Sequence, residues 1–244
     1  MRKIGIIPAR YASTRLPGKP LLEIQGVPMI QRVYQQAEKA DLDEVWVATD
    51  HVRIQDFVES FGGKAIMTRE DHPSGTDRII EAAEKIGAKK EDLLINIQGD
   101  EPFLPEEMLI ELTACFQNPE VEISTLASEI HDLETLKDPS KPKVLIKKNK
   151  KAAYFSRSPL PAHRDLPLEK WLEQGRYFKH VGLYAFRYSA LEKIKDLPES
   201  DWEVSEKLEQ LRWLENGLEI AVEITEYESL GIDTEADLKR ANLP

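Results

Sequence analysis

Residues 7–21 read IPARYASTRLPGKPL. An apolar strand, Ile4 to Ala9, runs into a turn carrying Arg10, Ser13, Thr14, Arg15 and Lys19, and Gly18 lies between Pro17 and Pro20. No acid appears before Glu23. Yet the chain has 44 Asp and Glu against 33 Lys and Arg, a net charge of -11. Three cations and two hydroxyls directly after a buried strand therefore mark the seat of a strongly anionic ligand, best a triphosphate. In open parallel sheets such ligands sit at the carboxyl ends of strands. Exposed turn amides can cradle phosphate oxygens, the arginines offer planar donor forks and the lysine a point charge. The spacing is neither GxxxxGK[ST] nor GxGxxG. A solvated basic turn is the plain alternative.

Outward from this turn, short apolar runs alternate with amphipathic stretches. Met29, Ile30, Val33, Tyr34 and Ala37 form a helical stripe opened by Pro28. VWVAT (45–49) reads as a strand, and Asp50 is placed to cap the helix after it. Residues 65–68 read as a short strand, and 76–86 as a helix ended by Gly87. LLINI (93–97) is apolar throughout, as in a strand covered on both faces. Residues 105–116 follow as a helix with Cys115 on its apolar side, a core thiol. This rhythm predicts an α/β fold: a mostly parallel, Rossmann-like sheet flanked by helices.

The second half is less regular. Residues 123–130 and 143–147 read as strands, and 152–156 return after the turn KNKK (148–151), where Asn149 suits a positive φ. Residues 158–175 predict a loop with a short helix, and 181–186 a strand. Ser200 and Glu203 have capping-box spacing and predict one helix reaching Gly217. A strand at 220–224 and a helix at 234–240 complete the chain. One domain over residues 1–244 is expected, with an inserted β-hairpin lobe at roughly 130–190.

The acidic balance disfavours nucleic acid and anionic membrane as partners. No apolar run approaches the ~20 residues of a membrane span. No signal peptide is recognisable in MRKIGIIPARYAS, and a single cysteine suits a reducing compartment, so a cytoplasmic protein is expected.

Other candidate positions lie at strand and helix ends. Gln98-Gly99-Asp100 follows LLINI, where an acid facing a phosphate loop can hold Mg²⁺. Mg²⁺ takes one or two carboxylates plus phosphate oxygens, and Asp233 is a candidate second acid; capping the terminal helix is its alternative role. Ser74, Gly75 and Arg78 open a helix whose amides could meet a ribose or base, or simply be capped.

Taken together, Ile7 to Leu21, Ala48-Thr49-Asp50, Met67-Thr68, Ser74 to Arg78, Asn96 to Pro102, Tyr154 to Arg157, His180 to Tyr184, Lys207 to Arg212 and Gly231 to Thr234 fall in the order seen in the 3-deoxy-manno-octulosonate cytidylyltransferase (CMP-Kdo synthetase) family. The chain resembles that family over nearly its whole length. The resemblance implies a nucleotide-diphospho-sugar transferase fold and transfer of CMP from CTP to Kdo, with release of pyrophosphate. It also implies Mg²⁺ dependence, a cytoplasmic homodimer and a role ahead of lipopolysaccharide inner-core assembly. It places Pro8, Ala9, Arg10, Ser13, Arg15 and Lys19 on the nucleotide, with Ser74, Gly75, Arg78 and Gln98 on the cytidine side. Asp100 and Asp233 hold the metal. Arg15 and Lys19 join the two acids as catalytic groups. Gln98, Arg157, His180, Tyr184, Glu209 and Gln210 form the sugar pocket. Departures are small: Asp201-Trp202 stands between Ser200 and Glu203 where Pro-Leu is common, and the approach to Asp233 is less glycine-rich.

Overall fold

The computed structural model describes residues 1–12 and 16–243. Ser13, Thr14 and Arg15, expected in the phosphate loop, lie outside these residues. Besides a two-residue ladder of Glu23–Ile24 with Val27–Pro28, nine strands follow in chain order among the described residues. They are β1 (Lys3–Ala9), β2 (Glu44–Thr49), β3 (Lys64–Met67), β4 (Leu93–Asn96), β5 (Ile123–Glu129), β6 (Lys143–Ile146), β7 (Ala152–Ser156), β8 (Phe178–Arg187) and β9 (Ala221–Ile224). The chain divides into two compact units: residues 1–110, 183–195 and 228–244, and residues 111–182 and 196–227.

In the first unit the strand order is β3-β2-β1-β4-β8. β1 pairs in parallel with β2 and β4, and β2 with β3; only the end of β8 runs antiparallel, with Tyr184 opposite Asn96. The prediction of a mostly parallel sheet flanked by helices is met. Ile4, Ile6, Ile7, Leu94 and Ile95 have no measurable exposure, which explains why these strands read as continuous apolar runs. Helices α1 (Met29–Lys39), α2 (Val52–Ser60) and α3 (Gly75–Ile86) are the crossovers. Met29, Ile30, Val33, Tyr34 and Ala37 of α1 are all buried, as their spacing predicts.

Two helix ends in this unit follow the sequence rules and one does not. Ser74 caps α3 by accepting from the Asp77 amide at 3.1 Å, and Gly87 ends it at φ 72°. Asp50 does not cap α2: His51 does, accepting from the Arg53 amide. The Asp50 carboxylate is taken up elsewhere, as described below.

In the second unit the order is β9-β5-β8, with β9 and β5 parallel. β6 and β7 form the predicted antiparallel hairpin. Its positive φ falls on Lys150 (59°) and not on Asn149. The Asn149 side chain instead accepts from the Lys151 amide at 3.3 Å, an alternative local use of the same residue type. Residues 158–175 hold a short helical segment at 168–174, as expected.

The predicted helix from Ser200 to Gly217 is broken. Asp201–Glu206 and Gln210–Glu215 are separate helices, and Lys207 adopts φ 53° between them. The capping box of Ser200 and Glu203 forms as predicted. The break is held by contacts that local spacing does not encode. Arg157 donates from Nε to the Glu206 carbonyl at 2.7 Å and from Nη2 to the Lys207 carbonyl at 3.2 Å, while Ser156 donates to the Glu206 carboxylate at 2.6 Å. Arg212 then clamps Glu203 through two bonds of 2.7 Å, joining the half-helices. Among the described residues no helix is long and apolar enough to cross a membrane.

Candidate functional site

In the first unit the carboxyl ends of β1 and β4 open onto a cavity of about 410 Å³. β1 contributes Pro8 and Ala9, the following turn Arg10, Ala12, Lys19 and Pro20, α3 Gly75 and Arg78, the β4 loop Gln98, Gly99 and Asp100, and the C-terminal segment Asp233. The nucleotide-side and metal-side residues expected from sequence are thus brought together, apart from Ser13 and Arg15, which lie outside the described residues, and Ser74, which sits next to Gly75 as the α3 cap.

Glycine is required twice to build this shape. Gly18 takes φ 65° just before Lys19, a conformation costly for a residue with a Cβ. A Cβ on Gly99 would lie 2.9 Å from the Pro8 carbonyl oxygen, so only glycine lets the β4 loop pass this close to β1.

The two acids are fixed by backbone. The Ile232 amide donates to the Asp100 carbonyl at 2.9 Å. Ile232 itself is fully buried with Ile24, Met29 and Ala241, which seats the segment carrying Asp233. Thr234, not Asp233, caps the terminal helix Glu235–Ala241, so the carboxylate of Asp233 is released from the capping role that was its alternative. Lys19 Nζ lies 2.8 Å from Asp100 Oδ2 and 3.2 Å from Asp233 Oδ1. Its side chain is 15% exposed, against 35% for Asp100 and 58% for Asp233. Two carboxylates converging on one cationic centre, open on the cavity side, form a hard-oxygen donor set that suits Mg²⁺ completed by phosphate oxygens and water. The ammonium of Lys19 stands where such a cation fits.

Arg78 departs from the expectation. Its side chain is 1% exposed, and its guanidinium donates to Thr68 Oγ1 at 2.6 Å and to Asp50 Oδ2 at 2.9 Å. Burial pulls its pKa below the usual arginine value, Asp50 opposes this, and the neighbouring Arg10 adds to it. Arg78 reaches the cavity wall, but two of its nitrogens are committed to the protein. Asp50, which local spacing placed as a helix cap, supports the cavity from behind by holding Arg78. The available signal was that a buried arginine needs a buried acid.

The expected sugar-side residues fall into both units. Gln98 and the buried Tyr184 belong to the first. Arg157, His180, Glu209 and Gln210 belong to the second. Arg157 spends its guanidinium on the carbonyls of Glu206, Lys207 and Pro139. His180 Nε2 is 3.1 Å from Thr125 Oγ1 and its ring meets Phe155 edge-on at 4.9 Å. Enclosure of the imidazole pushes its pKa down to about 3, so it is neutral near pH 7. Gln210 is 5% exposed and its Nε2 has no partner among the described residues, unlike the exposed helix face that local reading allows. Burial likewise raises the Cys115 thiol to about 11, although the residue is half-buried rather than in the core as expected.

A family model described as "Cytidylyltransferase" matches residues 4–220. The 3-deoxy-manno-octulosonate cytidylyltransferase of Phocaeicola vulgatus is 51% identical, covering 99% of this chain and 96% of that protein. The protein of the same name from Parabacteroides distasonis is 50% identical, covering 99% and 97%. A solved structure described as CMP:2-keto-3-deoxy-manno-octonic acid synthetase complexed with CTP superposes with a TM-score of 0.92 at 43% identity, covering 99% of this chain and 97% of that one.

Proposed function

The chain belongs to the cytidylyltransferase family, and from that premise we propose that it transfers CMP from CTP to 3-deoxy-D-manno-octulosonate, releasing pyrophosphate. The observation that carries this reading is the placement of Lys19 between Asp100 and Asp233 at the carboxyl ends of the parallel strands. The relatives of that name and the CTP complex support the choice of nucleotide and acceptor. We further propose Mg²⁺ as cofactor, a homodimer, the cytoplasm as location and a place ahead of lipopolysaccharide inner-core assembly.

The reaction is an in-line displacement at the α-phosphorus by the anomeric hydroxyl of the sugar acid. Its barrier is lowered mainly by positioning and by charge neutralisation. Asp100 and Asp233 would hold Mg²⁺, which supplies Lewis acidity at phosphate oxygens when bound. Arg10 at the cavity wall meets the triphosphate, and the amino end of α3 at Gly75 offers amides and the positive end of the helix dipole. Lys19, with Arg15, stabilises the departing pyrophosphate. On the sugar side of this cavity, the Gln98 side chain bonds hydroxyls.

The test is pyrophosphate release with the four nucleoside triphosphates in competition, against a panel of eight- and nine-carbon ulosonic acids. Release dependent on CTP and on the eight-carbon acid supports the assignment. Preference for another nucleotide or for a nine-carbon acid overturns it. CTP binding without release for any acid makes the chain a nucleotide-binding regulator instead.

A further inference from the structure

The Ala48-Thr49-Asp50 motif and Tyr11 have no role in the chemistry above, yet they join the ends of the loop that carries it. Asp50 Oδ1 accepts from the Tyr11 amide at 3.1 Å, while its Oδ2 accepts from the buried Arg78. Arg78 is anchored in turn on Thr68, whose amide and hydroxyl both donate to the Thr49 carbonyl, at 2.7 and 3.1 Å. The other end of the loop closes on the same residue: the Gly18 amide donates to the Tyr11 carbonyl at 3.1 Å. The Tyr11 ring stacks on His51 at 4.0 Å between centroids, receives a bond from Arg53 on its hydroxyl at 3.1 Å, and would lie 3.7 Å from a Cβ placed on Gly18. One residue thus pins Arg10 on one side and Lys19 on the other.

We propose that Asp50 and Tyr11 are positioning residues, a clasp that holds Arg10 and the Gly18-Lys19 segment in place and so sets the affinity for the triphosphate part of the nucleotide. This rests on the reading of the loop as the triphosphate seat. A buried carboxylate bonded to a backbone amide and to a buried guanidinium is costly to assemble and costlier to break, because each partner left unpaired bears its full desolvation penalty. Placing that arrangement next to Arg10 and Gly18 fixes these two positions before the ligand arrives, which removes part of the ordering cost from binding.

Two double variants separate the clasp from simple burial of charge. Asp50→Asn/Arg78→Met leaves an amide oxygen for the Tyr11 amide, whereas Asp50→Leu/Arg78→Met leaves none; neither buries an unpaired charge. Affinities for CTP and for cytidine are measured by calorimetry on the full chain. The leucine variant should bind CTP about tenfold more weakly than the asparagine variant, since an orphaned amide costs roughly 1–3 kcal/mol and 1.4 kcal/mol is tenfold. Cytidine affinity should be equal in the two. Equal CTP affinities, or a matching loss for cytidine, overturn the clasp. Failure of wild-type protein to bind CTP more tightly than cytidine overturns the seat reading itself. Should the leucine variant not fold, amide exchange of the wild type decides: Tyr11 and Gly18 must be protected in the ligand-free protein, and exchange at open-loop rates refutes the proposal.

Discussion

Lys19→Met should tighten divalent metal binding in the nucleotide-free protein while weakening CTP binding. In the structure the Lys19 ammonium bonds Asp100 at 2.8 Å and Asp233 at 3.2 Å. An incoming cation must displace it from both carboxylates. These acids are 35% and 58% exposed, so each pair contributes only ~0.2–1 kcal/mol after solvent screening. Removing the competitor therefore frees at most about 2 kcal/mol, and a gain of about fivefold in affinity is expected. The assay is a Mn²⁺ titration followed by electron paramagnetic resonance, which needs no turnover. Arg10→Met supplies the control, because Arg10 lines the same cavity and its loss measures the long-range effect of one cation. Asp100→Asn should abolish most Mn²⁺ binding. If Lys19→Met gains no more than Arg10→Met, the ammonium does not occupy the metal position. If Asp100→Asn binds Mn²⁺ as the wild type does, the acid pair is not the metal site.

Gly99→Ala should lower Tm by about 2–8 °C and weaken CTP binding, from strain of ~1–3 kcal/mol where the new methyl group meets the Pro8 carbonyl; an unchanged melt would contradict the close approach. Burial alone would raise the Glu81 pKa, but Lys85, the Arg69 amide and His72 together outweigh it and bring it from 4.5 to about 2. Its stabilising contribution is therefore complete above about pH 4.5 and is lost as pH falls toward 2. Glu81→Gln should cost at most about 3 kcal/mol at pH 7, with the difference from wild type vanishing near pH 2 in denaturant melts; a constant difference would refute the linkage. His180, with its pKa depressed to about 3, should remain neutral at pH 5, and stability should fall with pH below about 6.5 on its account. Nitrogen-15 shifts of the imidazole read this directly, and titration near 6.5 would show that the ring is not enclosed.

Much of the first unit was legible because its determinants are local. Continuous apolar runs at Ile4 to Ala9 and LLINI give buried strands, the α1 stripe gives a helix, and Ser74 and Gly87 mark the ends of α3. The misreadings share a physical origin. Asp50 looked like a cap because local spacing allows it, but a buried guanidinium 28 residues away in sequence captured the carboxylate. The Ser200 to Gly217 helix looked continuous because nothing in its own sequence forbids it, and it is broken where Arg157 binds its carbonyls.

The sequence by itself determined the parallel α/β character, the cationic loop after β1 and the identity of the acids that face it, since period, turn chemistry and charge are properties of neighbouring residues. Only the tertiary structure decided which of these charges are available. It released Asp233 from capping, set Lys19 between the two acids, and committed Arg78 to Asp50 and Thr68. The reason is that a side chain's chemistry depends on which distant groups fold against it, and burial makes each such pairing exclusive.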